Sequence, residues 1–302
     1  MQHSIKQSYK FSGKGLHSGR AVNMTLLPAP AGSGIVFCRS DLASDARIAA
    51  LATNVGSSAR STTLTCGEAS VSTIEHLMSA AAGLGIDNML VELDAEEVPI
   101  LDGSALPYVR AIAADGLKEQ DAARKVLSLQ KAFHYEDPDS GATIDILPAG
   151  EPSMQLTVDF NSKVLGVQSF TYDSSIDYAS QIAPCRTFCF LHELEYLIGK
   201  GLVRGGDMDN AIVIVEHPAS EESIARLKAF FGIKDLEVRQ GYLNNLQLHF
   251  PDEIVRHKML DMIGDFALLG APLKGTIIAS KTGHRINTTV CKTLLESNLL
   301  KP

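Results

Sequence analysis

The sequence predicts an α+β protein built from two similar domains. Three observations carry that reading. A helix, a glycine-containing turn, an apolar strand, a loop and a second helix occur in that order near the end of each half. Between the halves, residues 118–125 (KEQDAARK) are polar and lack periodicity. The chain has 302 residues, which at roughly 100–200 residues per domain suggests two. The boundary is therefore set at 124/125, giving domains 1–124 and 125–302.

In the first domain, residues 22–26 and 34–39 are short β-rich runs. Residues 72–82 read as a helix, with Gly83 and Gly85 able to end it because glycine accepts the left-handed cap conformation. Residues 88–93 alternate as a strand. Asp102-Gly103 turns the chain, Ser104 can cap, and residues 105–114 are helical up to Gly116. In the second domain, residues 142–147, 154–160, 168–172 and 211–216 read as strands. A long helix over 253–269, a strand over 276–280 and a helix over 287–297 follow.

Composition narrows the function. Hydrophobic residues make up 45% and charged residues 21%, values that support a buried core. Lys and Arg total 27 against 35 Asp and Glu, a net charge of −8, which argues against a sequence-independent nucleic-acid binder unless basic residues cluster locally. Uncharged apolar runs such as 77–86 and 266–273 fall short of the ~20 residues that span a bilayer, so no transmembrane segment is expected. The N-terminus shows no apolar signal-peptide region. Five cysteines without a CxxC pair read as reduced thiols, pointing to a cytoplasmic enzyme.

Four segments could carry chemistry. The first is His257-Lys-Met-Leu-Asp261. Residues four apart share a helix face, so an imidazole and a carboxylate there can converge on one metal ion. With nine histidines and 35 acids in 302 residues, about one such pair is expected by chance and three occur. Only His257/Asp261 lies in an uninterrupted helical pattern. His257, Asp261 and Asp265 form an i, i+4, i+8 stripe on a mostly apolar helix. It reads either as an exposed polar stripe or as a site, because ionised carboxylates facing a core need a partner or a metal.

The second segment is Ser72-Thr-Ile-Glu75-His76. Ser72 and Glu75 match a capping box, which accounts for Glu75 without chemistry. The box leaves His76 unexplained. A zinc hydrolase needs three protein ligands, an open water position and a carboxylate base. His76, His257 and Asp261 would supply the ligands and Glu75 the base. The third segment is Lys281-Thr-Gly-His284, a loop whose histidine is either a general acid or a solvated surface residue. Lys281, Arg285 and Lys258 could hold an anionic substrate or be scattered surface charge. The fourth is Arg186-Thr187-Phe188, followed by Leu191, Leu194, Leu197, Ile198 and Leu202 at helical spacing. This stripe is either a core face or an apolar channel.

Together these segments resemble the UDP-3-O-acyl-N-acetylglucosamine deacetylases, zinc enzymes of lipid A biosynthesis. The resemblance spans essentially the whole chain, through SGKGLHSG, STIEHL, GLGIDN, PILDGSALPYV, RTF, RHKMLDMIGD and KTGH followed by Asn287. It implies two domains, each a sheet layer against helices, with the helices packed together in a β-α-α-β sandwich. It implies Zn2+ held by His76, His257 and Asp261, Glu75 as general base, His284 as general acid oriented by Asp265, and Thr187 stabilising the oxyanion. Lys258 and Lys281 would lie near the diphosphate of a UDP-linked acylated amino sugar, and His17 near the substrate. Residues 188–206 correspond to the family's insert for the acyl chain, which gives Phe188, Leu194, Leu197, Ile198 and Leu202 a substrate-facing role. The chain departs from the family after Asp159-Phe160, where Asn-Ser-Lys163 replaces an expected His-Pro, and residues 217–248 are left unplaced. Two rivals remain: a zinc hydrolase of the same architecture acting on another amide, and a non-catalytic α+β interaction module.

Overall fold

The computed structural model describes residues 1–42, 46–200 and 202–301. Two five-stranded sheets carry the two halves. The first contains β1 (Tyr9–Lys14), β2 (Ala21–Pro28), β3 (Ile35–Arg39), β4 (Ala46–Ala49) and β5 (Met89–Leu93), in the order β1-β2-β5-β3-β4. The second contains β6 (Phe133–Glu136), β7 (Thr143–Leu147), β8 (Ser153–Asp159), β9 (Val167–Tyr172) and β10 (Thr276–Ser280), in the order β6-β7-β10-β8-β9. In each sheet the last strand in sequence inserts between the second and third. It runs antiparallel to the second and parallel to the third. The repeat read from element order thus extends to strand order and direction. Period-two patterning fixes which faces are buried: Val22, Met24 and Leu26 on β2 and Met89, Val91 and Leu93 on β5 all point inward.

The helices of eight residues or more are α1 (Glu75–Leu84), α2 (Leu106–Ala113), α3 (Leu191–Gly199), α4 (Glu221–Phe231), α5 (Glu253–Phe266) and α6 (His284–Glu296). Of these, α1, α2, α5 and α6 lie between the two sheets, and α3 and α4 do not. Helices α1 and α5 pack directly on each other and carry residues from both halves into one hydrophobic core. Leu77, Met78, Ala80 and Ala81 are all almost fully buried, because α1 is covered by its own sheet on one side and by α5 on the other. That explains why α1 is apolar nearly all round. The contact depends on Gly264, where an added Cβ would run into the Glu75 carbonyl and meet the Ser79 amide at 3.1 Å. Gly85 ends α1 in the left-handed conformation, φ +79. Gly83 does not end it but sits in its last turn, against the Tyr178 ring.

Four readings differ from the structure. Helix α1 begins at Glu75 rather than at residue 72 and runs to Leu84. Helix α5 stops at Phe266, and a 3₁₀ turn, Ala267–Leu269, completes the expected stretch to 269. Helix α6 starts three residues early, at His284, because Gly283 is extended and caps it. The strand expected over 211–216 forms, as Ile212–Val215, but outside the five-stranded sheet. It pairs with Phe188–Phe190 and Gly241–Tyr242 in a separate three-stranded sheet. With α3 and α4 this sheet encloses its own hydrophobic cluster. The insert therefore extends beyond 206 to about Tyr242, which places most of residues 217–248.

Candidate active site

Helix α5 delivers His257, Asp261 and Asp265 on one face, and all three are buried. The stripe is therefore not solvated, which excludes the surface reading. His76 enters from the first turn of α1. His76 Nε2 lies 3.7 Å and His257 Nε2 3.4 Å from Asp261 Oδ1, and the donor atoms of all three residues fall within 4.8 Å of one another. Ligands bound tetrahedrally at ~2.1 Å from one zinc ion stand about 3.4 Å apart, so the set fits the ion.

Three further features support that fit. Asp261 Oδ1 is buried and has no hydrogen-bond partner among the described residues, an expensive condition for a carboxylate oxygen unless a cation takes it. His257 Nδ1 faces the Cys185 carbonyl at 3.0 Å, so it carries the proton and leaves Nε2 as the free lone pair. Burial, and then the neighbouring His257 ring, push His76 down to about 3; burial also lowers His257 despite Asp261. Both rings are therefore neutral, as ligands must be. Burial would raise the Asp261 carboxyl, but the Lys258 ammonium and the histidines hold it well below the usual range.

Glu75 is the first residue of α1 and points inward. It makes no cap: Ile74 occupies the N-cap without a side-chain bond, and Ser72 donates instead to the Glu96 carbonyl. The residue between them, Thr73, has φ +58, a left-handed conformation incompatible with a capping box and strained for a β-branched side chain. Thr73 is held there by its hydroxyl, which donates to Glu97 Oε1 at 2.9 Å. Glu75 Oε1 stands 3.8 Å from His284 Nε2. Burial pushes the Glu75 carboxyl up to about 7, with His284 opposing and the Asp261 and Asp265 charges adding to the rise.

His284 is a helix residue rather than a loop residue, and it is buried enough that desolvation alone would lower its pKa. The Asp265, Glu75 and Asp261 carboxylates overcome this and raise it to about 9. Its Nδ1 lies 3.0 Å from Asp265 Oδ2, so Nε2 faces Glu75 and Asp261.

Above these groups opens a cavity of about 120 Å³. Its wall includes Glu75, His76, His257, Asp261 and His284 together with Thr187, Phe188, His17, Leu197 and Val203. Thr187 is fixed by its backbone, donating to the Gly103 carbonyl and accepting from Ile212, both at 2.8 Å. Leu194 is elsewhere: it is buried in the insert's own cluster with Leu191, Val213 and Val215. Ile198 and Leu202 are also absent from the cavity wall, and Leu202 is exposed. Helical spacing identified the buried face of α3 but not what that face packs against. Lys258 Nζ donates to Asp261 Oδ2 at 2.8 Å, which uses one of the three ammonium hydrogens. Lys281 is half exposed, 3.5 Å from Asp159.

Comparison with known sequences decides the family. The family described as UDP-3-O-acyl N-acetylglycosamine deacetylase matches residues 2–229 and 236–296. The chain belongs to this deacetylase family. The UDP-3-O-acyl-N-acetylglucosamine deacetylase of Myxococcus xanthus is 44% identical over 287 residues, covering 95% of this chain and 83% of the relative. That of Saccharophagus degradans is 42% identical over 300 residues, covering 98% and 89%. The bifunctional enzyme LpxC/FabZ of Porphyromonas gingivalis is 42% identical over 292 residues, 96% of this chain. The chain spans only 62–64% of the length of that relative and two other bifunctional ones.

Within this deacetylase fold, three contributors have no sequence signature. Glu97 is buried and accepts from the backbone N–H groups of His17 and Ser18, at 2.9 and 2.8 Å, as well as from Thr73. It thereby ties the loop bearing His17 to the start of α1. Glu253, one turn before His257, accepts from the Arg186 backbone and guanidinium at 2.9–3.1 Å, which anchors the segment leading to Thr187. Thr62 joins Glu75 to Asp265, as described below.

Proposed function

We propose that this chain hydrolyses the N-acetyl group of UDP-3-O-acyl-N-acetylglucosamine, giving acetate and UDP-3-O-acyl-glucosamine, as a zinc-dependent step of lipid A biosynthesis in the cytoplasm. The observation that carries the reading is the convergence of His76, His257 and the unpartnered Asp261 Oδ1, with Glu75 and His284 on the same cavity. When bound there, zinc supplies Lewis acidity toward the acetamide carbonyl and acidifies a water. Glu75 takes the proton of the attacking water; its raised pKa makes it a base near neutral pH. The Thr187 hydroxyl donates to the oxygen on which charge develops. His284, held protonated by Asp265, gives its Nε2 proton to the leaving amine.

A second cavity, about 560 Å³, is lined by Phe160, Lys163, His192, Glu193, Glu216 and His217 and shares Glu193 with the first. We assign it to the UDP group. The part-exposed Phe160 ring offers a stacking face for the base, worth ~1–3 kcal/mol. Lys163, His192 and His217 on the same wall would supply donors to the phosphates. Among the described residues no helix is long and apolar enough to cross a membrane.

The direct test is to supply UDP-3-O-acyl-N-acetylglucosamine and measure acetate and free amine. Equal molar release of both supports the reading. A zinc-loaded protein that releases neither, yet cleaves another amide, favours the rival hydrolase.

Two predictions follow from the cavity. Rate should be bell-shaped in pH. It rises as Glu75, ordinarily ionised well below neutrality but here pushed up to about 7, loses its proton. It falls as His284, raised to about 9, loses its own. The charge of a bound metal lowers both values, so the limbs lie at or below them. His284→Ala should flatten the alkaline limb; an unchanged limb in that variant rules out His284 as the acid.

The acyl chain is expected along Leu197, Val203 and Ala211. Ala211→Trp, on a half-buried wall position, should leave Tm nearly unchanged and penalise long acyl chains. Excluding three methylenes at ~0.8 kcal/mol each shifts selectivity by more than tenfold. Leu194→Trp should instead overpack the insert core and cost ~1–3 kcal/mol of stability with any substrate. Equal losses for long and short chains in Ala211→Trp would remove the chain from this wall.

A further inference from the structure

We infer that Thr62 is a positioning residue that locks the base and the acid-orienting carboxylate to each other across the two halves of the molecule. The inference rests on the assignment of Glu75 as base and His284 as acid. Thr62 is fully buried and lies just before the strand Thr63–Cys66 of the first half.

All of its polar groups are spent on the site. Its backbone N–H donates to Glu75 Oε2 at 3.0 Å. Its hydroxyl donates to Asp265 Oδ1 at 2.6 Å, a short charge-assisted bond. Its carbonyl accepts from Ile74, the N-cap of α1, at 3.4 Å.

The hydroxyl has a specific consequence. Asp265 Oδ2 already accepts from Asn287 Nδ2 at 2.9 Å and faces His284 Nδ1 at 3.0 Å. Thr62 occupies the other oxygen and thereby fixes the carboxylate plane. With the plane fixed, the imidazole of His284 is held with Nδ1 on Asp265 and Nε2 toward Glu75. Without the hydroxyl the carboxylate can rotate about its Cβ–Cγ bond, and the imidazole it orients rotates with it. Glu75 and Asp265 belong to helices from different halves, and one residue bridges them, through its backbone N–H on Glu75 and its hydroxyl on Asp265.

The test compares Thr62→Val, Thr62→Ala and Thr62→Ser with the wild type on UDP-3-O-acyl-N-acetylglucosamine, measuring acetate release, bound zinc and Tm. Groups that orient a metal site's functional residues typically contribute ~10–100-fold. Thr62→Val is expected to lose that much in kcat, with KM changed little and zinc retained. Thr62→Ser, which restores the hydroxyl, should recover most of the rate. A double-mutant cycle with Asp265→Ala should be strongly non-additive, because the Thr62 hydroxyl acts only through Asp265. If the valine variant does not fold, the Thr62→Ala and Thr62→Ser pair, assayed below both melting temperatures, carries the comparison. Near wild-type kcat in Thr62→Val or Thr62→Ala, equal losses in Thr62→Ser, or additive losses in the cycle would overturn the inference. Absence of acetate release by the wild type would overturn the underlying assignment, and this inference with it.

Discussion

Glu75→Gln is expected to keep its zinc and its melting temperature while losing at least ~10²-fold in kcat, the usual contribution of a general base. The amide oxygen can still accept from the Thr62 N–H, as Glu75 Oε2 does at 3.0 Å. What the amide cannot do is take a proton from water. Stability should change little for two reasons. Glu75 makes no helix cap, so none is lost. Burial has already pushed its pKa up to about 7, so a neutral group replaces one that is readily neutral. Steady-state kinetics, metal analysis and a melting curve on one preparation separate the outcomes. A variant that turns over nearly as fast as the wild type places the base elsewhere.

His76→Ala, His257→Ala and Asp261→Ala are each expected to weaken zinc binding by more than the ~10–100-fold typical of losing a group that merely orients a ligand. The three should differ in stability. Removing either histidine deletes a neutral ring. Removing Asp261 also strands Lys258, whose ammonium is largely buried and bonded to Asp261 Oδ2 at 2.8 Å. Breaking a buried ion pair by deleting one partner costs about 3–5 kcal/mol. Asp261→Ala should therefore melt well below His257→Ala even with no metal present. Zinc occupancy after dialysis against a weak chelator, read beside Tm, checks both points. Full occupancy in all three variants would remove them as ligands.

Much of this architecture was legible in the residues. Strands such as Met89–Leu93 announce themselves because one face is buried and the other is not. The repeated unit near the end of each half is likewise visible. The insertion of the last strand between the second and third was not, since pairing partners distant in sequence set it. At the site, the i, i+4, i+8 spacing of His257, Asp261 and Asp265 survives folding because a helix preserves it. The capping box offered by Ser72-x-x-Glu75 does not form, because it satisfies a local pattern whose backbone is broken at Thr73. That departure is held by Glu97, a contact 24 residues away. Thr62 and the Cys185 carbonyl left no trace, for a threonine or a backbone carbonyl acquires meaning only from what folding puts beside it. Helical spacing left Leu194 open between core and channel, because periodicity reports burial and not the identity of the burying surface; the family resemblance alone put it on a groove.

The most direct test of the central claim is to strip the protein of metal, supply UDP-3-O-acyl-N-acetylglucosamine and follow acetate release as zinc is added back. Three converging ligands hold one ion. No release is predicted without metal, with full activity restored at about one zinc per chain and no restoration in Asp261→Ala. Undiminished acetate release from the metal-free protein would contradict the account.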